Sequence, residues 1–157
     1  MRVLLIGSGG RESAISWKIS QSSMLEALFI APGNAGTKQF GKNIALNVTD
    51  FEAVKSFVIE QKIEMVIVGP EEPLVLGIAD FFKKDPQLSG VSLIGPTQAG
   101  AALEGSKTFA KEFMQRHKIP TAKYGSFTLA TLREGIDFLR SMKAPYVLKA
   151  EIGRAHV

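Results

Sequence analysis

Four short, largely apolar runs, each stopped by glycine or proline, constrain this chain's fold more than any other feature. Val3-Leu4-Leu5-Ile6 ends at Gly7-Ser8-Gly9-Gly10, and Leu28-Phe29-Ile30-Ala31 ends at Pro32-Gly33. Met65-Val66-Ile67-Val68 ends at Gly69-Pro70, and Val91-Ser92-Leu93-Ile94 ends at Gly95-Pro96. Runs without polar alternation are the mark of strands buried on both faces, which occur in parallel sheets flanked by helices. The segments between them supply those helices. From Arg11, the positions Ala14, Ile15, Trp17 and Ile19 form a broad apolar stripe. Thr49-Asp50-Phe51-Glu52 reads as a capping box leading a helix faced by Phe51, Val54, Phe57 and Val58. Pro73 suits the start of a helix whose inner face is Leu74, Ile78, Phe81 and Phe82, and Thr97 suits the cap of a short helix containing Ala101, Ala102 and Leu103. Strand, loop and helix in repetition predict an α/β fold with an open, mostly parallel, Rossmann-like sheet.

The texture changes after Gly105. Ser106 to Lys118 is strongly helical, Lys123 to Thr128 reads as a short strand, and Thr131-Leu132-Arg133-Glu134 reads as a second capping box before a helix faced by Leu132, Ile136 and Leu139. Ala144 to Ala150 is the last strand-like run. A boundary therefore falls near residue 104. Only about fifty residues follow it, the low end of what folds alone, so the second domain is expected to be incomplete.

Composition narrows the function. The chain has 157 residues, 45% hydrophobic and 22% charged, with 19 basic against 15 acidic side chains. The resulting net charge of +4 is scattered, with no like-charge run longer than Lys83-Lys84. That pattern argues against a nucleic-acid-binding arm and against a polybasic membrane patch. With no cysteine there is no disulfide framework, thiolate zinc site or cysteine nucleophile, and a reducing, cytoplasmic location is expected. The apolar run at Val3 to Ile6 is too short for a signal-peptide core or a membrane span.

Gly7-Ser8-Gly9-Gly10-Arg11-Glu12 lies where a strand-to-helix turn aims backbone amides and the positive end of a helix at an anion. A dinucleotide fingerprint asks for a third glycine where Glu12 stands, and for an acidic residue where the second strand ends in Ala31-Pro32-Gly33. A nucleotide-dependent oxidoreductase is thus the weaker reading, and a phosphorylated small molecule is the better guest. The loops at residues 7–12, 32–36 and 69–72 would converge at the carboxyl edge of the sheet, where such folds bind ligands. Glu71, nearer the strand end than Glu72, is the better ligand contact. Lys107 sits in the first turn of its helix, where a cation is disfavoured unless an anion shares the site. Lys149 ends an apolar run, and two such lysines would suit one polyphosphate. His117 and His156 form no ligand pattern with carboxylates, so no metal site and no catalytic side chain are read from the residues.

Taken together, Gly7 to Glu12, Ala31-Pro32-Gly33-Asn34-Ala35-Gly36-Thr37, Gly69-Pro70-Glu71-Glu72-Pro73-Leu74, Gly95-Pro96-Thr97 and Leu103-Glu104-Gly105-Ser106-Lys107 resemble the phosphoribosylamine-glycine ligase family of purine biosynthesis. The likeness continues through Phe109-Ala110-Lys111, Ile119-Pro120-Thr121-Ala122 and Val147-Leu148-Lys149-Ala150. It implies an ATP-grasp ligase that joins glycine to 5-phosphoribosylamine, with ATP and Mg2+ (or Mn2+) as cofactors of the complete enzyme and those small molecules as its partners. Residues 1–104 would form the amino-terminal phosphoribosylamine-binding domain and 105–150 the opening of an ATP-grasp domain. Ser8, Gly9, Gly10 and Arg11 match the family's phosphate loop, Glu71 its ribose contact, and Lys107 and Lys149 its ATP-phosphate lysines. Two departures stand out. Ser13 replaces a usual histidine. After Ala150 the family continues with Asp-Gly and a glycine-rich loop, where this chain has Glu151-Ile152-Gly153-Arg154-Ala155-His156-Val157. That heptapeptide can be encoded by GAGATCGGAAGAGCACACGTC, which looks like a sequencing-library adapter, so residues 151–157 are expected to be a non-native tail and the chain an amino-terminal fragment, inactive alone. A non-catalytic phosphosugar-binding module is the alternative.

Overall fold

The computed structural model describes residues 1–148 and divides the chain into two compact units, residues 1–105 and 106–157. The first is built on five parallel strands: β1 (Arg2–Gly7), β2 (Ala27–Pro32), β3 (Lys42–Asn43), β4 (Met65–Val68) and β5 (Ser92–Ile94). Their spatial order is β3-β2-β1-β4-β5. Central β1 pairs Leu4 with Phe29 on one side and with Val66 on the other.

Alternation along β1 divides the core in two. Leu4 and Ile6 join Phe29, Val54, Val58, Val66, Ile78 and Phe82 on one face, while Val3 and Leu5 join Leu28 and Ile30 on the other. Leu4, Leu5 and Ile6 are completely buried, and truncating any of them to alanine would cost about 2–5 kcal/mol. The first face is covered by α2 (Phe51–Glu60), α3 (Glu71–Val75), α4 (Ile78–Lys84) and α5 (Gln98–Gly105). Phe29 and Phe57 meet edge to face there at 5.5 Å. The second face is covered by α1 (Gly10–Ser20), through Ile15 and Ile19.

Several local details differ from the sequence expectation. Along α1 the buried residues are Glu12 and Ser16, and Trp17 is 53% exposed. Asp50, not Thr49, caps α2, accepting from Ala53 N at 3.1 Å. The helix expected from Pro73 to Phe82 is two helices, because Gly77 at φ +97° breaks it between α3 and α4. Pro73 is also the third residue of α3 rather than its first. The Asp80 carboxylate accepts from Gln98 N at 2.7 Å, tying α4 to the start of α5. Lys55 on α2 and Asp85 after α4 form a short ion pair at 2.5 Å with both side chains mostly covered. The Lys55 hydrogen bond, reinforced by Gln87 N–H, holds the Asp85 carboxyl below its ordinary value, and the same contact raises the Lys55 ammonium.

The second unit carries α6 (Lys107–Arg116) and α7 (Leu132–Arg140). Ser106 caps α6, its Oγ accepting from Phe109 N at 3.1 Å. The turn before α7 is closed by Thr128 and Thr131 rather than by a Thr131–Glu134 box, with Thr128 N donating to Thr131 Oγ1 at 2.9 Å. Gly135 on α7 gives room to Phe127, which packs against Phe138 at 5.5 Å. The strands expected at residues 123–128 and 144–148 do not form. A strand requires a neighbour to pair its N–H and C=O groups, and no strand occurs among the described residues of this unit. Lys149 and Ala150, and the tail expected to be non-native, lie outside the described residues.

Candidate anion site at the carboxyl edge of the sheet

The parallel strands bring three loops to one edge. Gly7 ends β1 at φ +133°, a conformation that favours glycine, and α1 begins three residues later at Gly10. Between them Ser8 and Gly9 are exposed, as are Gly10 and Arg11. The first amides of α1 lack intrahelical partners and carry the positive end of the helix dipole.

Glu12 does not hinder this turn; it completes it. Its side chain folds under the loop, where it is only 5% exposed, and its carboxylate accepts from Gly9 N at 2.6 Å. The space it occupies exists because residues 7 and 69 are glycines. A Cβ on Gly7 would lie 2.6 Å from Glu12 Cδ, and one on Gly69 would lie 2.1 Å from Glu12 Oε1. The carboxylate thus fills the volume that a third fingerprint glycine would leave open, and it removes the Gly9 amide from the donors available to a ligand.

The remaining loops are tied to the first by side chains. Arg11 Nη1 donates to the Gly69 carbonyl, linking the β1 loop to the β4 loop. Two residues further on, Glu71 opens α3, partly buried and in the first turn, where the helix dipole favours an acid. On the other side Gly33 N donates to Gly7 O at 3.0 Å, and the Asn34 carboxamide donates to Ser8 O at 2.8 Å and Gly9 O at 3.1 Å. Asn34 Oδ1 accepts from Gly36 N, Thr37 N and the Ser13 hydroxyl at 2.7, 3.0 and 3.1 Å. Thr37, fully buried, accepts from Asn34 N at 2.8 Å. A hollow of about 460 Å³ lies beside this loop, lined by Gly33, Asn34, Lys38 and Asn43 among others.

Ser8, Gly9, Gly10 and Arg11 therefore stand together, with the Glu71 helix joined to them through Gly69. Lys107 belongs to the second unit, exposed at the first position of α6, and Lys149 lies outside the described residues. Sequence reasoning gives no role to Asn34, Ser13 or Thr37. An Asn with Thr three positions on, inside a Pro-Gly turn, is nonetheless the local signature of a side chain bonded to its own backbone. Among the described residues no three His, Asp or Glu side chains come together as metal ligands. No described helix is long and apolar enough to cross a membrane.

Sheet order, helix placement and a glycine turn at the carboxyl edge define an open, parallel, Rossmann-like α/β domain. Residues 1–104 match the family described as "Phosphoribosylglycinamide synthetase, N domain". The chain is 47% identical over 153 residues to the phosphoribosylamine–glycine ligase of Salmonella typhimurium strain LT2 and 48% identical to that of Escherichia coli K12. Each alignment covers 96% of this chain and 34% of the relative, so the chain spans about a third of the length of the curated relatives it matches. Among solved structures, the Thermotoga maritima phosphoribosylamine–glycine ligase aligns with a TM-score of 0.61 and 32% identity, over 88% of this chain and 30% of that one. The N5-carboxyaminoimidazole ribonucleotide synthetase of Thermus thermophilus aligns at 0.59 and 18% identity, over 87% and 36%, and shares the fold. The chain belongs to the phosphoribosylamine–glycine ligase family.

Proposed function

We propose that the first unit binds the phosphate end of 5-phosphoribosylamine. The whole protein would then join glycine to that amine at the expense of ATP, giving glycinamide ribonucleotide, ADP and phosphate in purine biosynthesis. The observation that carries this reading is the exposed loop at residues 8–11, braced from both sides at the start of α1, within the segment that matches the family. A phosphate seated there meets the Gly10 and Arg11 amides, the Ser8 hydroxyl and the positive end of α1. The Arg11 side chain, bonded to the Gly69 carbonyl, is long enough to turn toward the anion. Glu71 offers a carboxylate to a ribose hydroxyl. Residues 1–104 then act as the phosphoribosylamine-binding domain and residues 105–150 as the opening of the ATP-grasp domain, with Lys107 and Lys149 directed at the phosphates of ATP.

When bound, ATP supplies the phosphoryl group that activates the glycine carboxylate. The task left to this chain is to hold and orient the amine-bearing sugar and to place positive charge near the phosphates, which is most of what phosphoryl transfer asks of a protein. Calorimetric titration of the 157-residue chain with ribose 5-phosphate tests the reading. Binding is expected, with Arg11→Ala weakening it by about 2 kcal/mol, the worth of a charge-assisted contact. Equal affinity of the variant and the wild type would remove Arg11 from the site. No measurable binding by the wild type would overturn the assignment of the loop.

A further inference from the structure

Asn34 lies on the β2 loop, 26 positions from Ser8, yet its side chain bonds to the backbone of the β1 loop at two successive carbonyls. Its carboxamide has two chemically distinct sides, and the surroundings fix which is which. One side faces the carbonyls of Ser8 and Gly9, which need a donor, and the other faces Gly36 N and Thr37 N, which need an acceptor, together with the Ser13 hydroxyl. A flip would lose four of these five contacts, all but the one to the Ser13 hydroxyl, which can accept as well as donate.

A trans peptide is planar, with its C=O and N–H pointing in opposite directions. Fixing a carbonyl therefore fixes the next residue's amide. Asn34 holds the Ser8 carbonyl, and the amide on the far side of that peptide, Gly9 N–H, is taken by Glu12 at 2.6 Å. This peptide is pinned at both ends. Asn34 also bonds the Gly9 carbonyl, sharing it with the Ser13 N–H of α1 at 3.2 Å and the Ser13 hydroxyl at 3.4 Å, and the Gly10 N–H of the same peptide is directed away from Asn34 at the opening of α1. Gly10 is exposed, and nothing lies within 4 Å of where its Cβ would be.

We infer that Asn34 is the positioning residue of the anion loop: by holding the Ser8 and Gly9 carbonyls it aims the Gly10 amide at the ligand. Asn34 touches the loop's backbone, not the ligand. This inference rests on the phosphate-binding reading above, and its consequence for specificity is direct. With Gly9 N–H given to Glu12 and Gly10 N–H held outward, the loop presents one narrow set of donors, suited to a single terminal phosphate rather than a bridging pyrophosphate.

Asn34→Asp is the sharp test, since it keeps the size and the acceptor side while replacing the two donors by an oxygen facing two carbonyls. In the unliganded 157-residue chain, the Gly9 and Gly10 amide resonances should shift and Gly10 exchange should quicken, with the protein still folded at about 25 °C by circular dichroism. Ribose 5-phosphate affinity, measured by calorimetry, should fall about tenfold or more. Ser13→Ala removes one contact to the carboxamide oxygen, and with it the longer 3.4 Å contact of the same hydroxyl to the Gly9 carbonyl, while both Asn34 donors stay in place. It should move the same resonances less and weaken binding roughly two- to threefold; if Asn34→Asp does not fold, Asn34→Ala, which removes the same two donors without placing an oxygen against the carbonyls, is expected to give the same shifts and the same loss of affinity. Unmoved Gly9 and Gly10 resonances would overturn the inference, and so would shifted resonances with wild-type affinity. If the wild type itself does not bind ribose 5-phosphate, the loop's assignment fails, while the unliganded spectra still decide whether Asn34 sets the loop.

Discussion

Gly10 offers a perturbation in which stability and binding should move in opposite directions. It is the first residue of α1, and a Cβ there meets nothing within 4 Å. Gly10→Glu should therefore be accommodated without displacing a neighbour. Replacing glycine by a side-chain-bearing residue in a helix gains up to about 1 kcal/mol, less at the first position. An acid in the first turn gains about 0.3–1 kcal/mol from the helix dipole. The variant should thus be more stable by about 1 kcal/mol, a rise in melting temperature of roughly 2–6 °C. A phosphate seated on the same amides would meet the new carboxylate at close range. Coulomb's law at about 5 Å, with an effective dielectric between protein surface and water, gives on the order of 1–3 kcal/mol of repulsion per charge. Ribose 5-phosphate should bind at least tenfold more weakly, and the loss should shrink as salt is added. Calorimetry and thermal unfolding on the same samples supply both readings. Wild-type affinity in the stabilised variant would refute the placement of the phosphate, and a drop in melting temperature would refute the open surroundings of Gly10.

The strands of the first unit are legible in the sequence because burial on both faces leaves an unbroken apolar run, and β1, β2, β4 and β5 lie where those runs predict them. Edge strand β3 carries no such signal, being two polar residues, Lys42 and Asn43, against the middle of β2. On α1 the helical period is half right: Ile15 and Ile19 pack on the sheet, while Trp17 is exposed. The most deeply buried positions are Glu12 and Ser16, and Glu12 can be buried because its carboxylate has a backbone partner. In the second unit, apolar character alone suggests a strand at Tyr146-Val147-Leu148, yet Val147 and Leu148 stand 79% and 73% exposed. The converging loops are readable from glycine and proline, since those residues mark where the chain must turn. What binds the loops together is not. Asn34 reaches backbone carbonyls 25 and 26 positions away, and a carbonyl has no letter in the sequence.

Two further outcomes follow from side chains outside the anion contact. Lys55→Met should lower the melting temperature at neutral pH, and the deficit should close as pH falls. Asp85 is held below its ordinary 3.8 by Lys55, so its contribution is whole above that value and is lost as the pH drops through the depressed folded-state value. On the alkaline side Lys55 is raised above 10.5, so its contribution is whole below that value and disappears only as the pH climbs through the raised one; a deficit unchanged from about pH 7 to about pH 2 would show that the ion pair contributes nothing. The second outcome concerns the space shared by Glu12 and Gly69. Gly69→Ala forces a methyl to 2.1 Å from Glu12 Oε1 and 3.0 Å from the Ile6 carbonyl, an overpacking that should cost about 1–3 kcal/mol. Glu12→Ala, which frees Gly9 N–H and opens a hole, should cost about the same. With the carboxylate gone the added methyl loses its worst clash and enters the vacated volume, so the double variant should be more stable than the sum of the two losses by at least about 1 kcal/mol. Denaturant unfolding of the four proteins measures this directly. Strict additivity would mean that the glycine at 69 is not what admits the buried carboxylate, and that Glu12 reaches Gly9 N–H by some route other than the space beneath the loop.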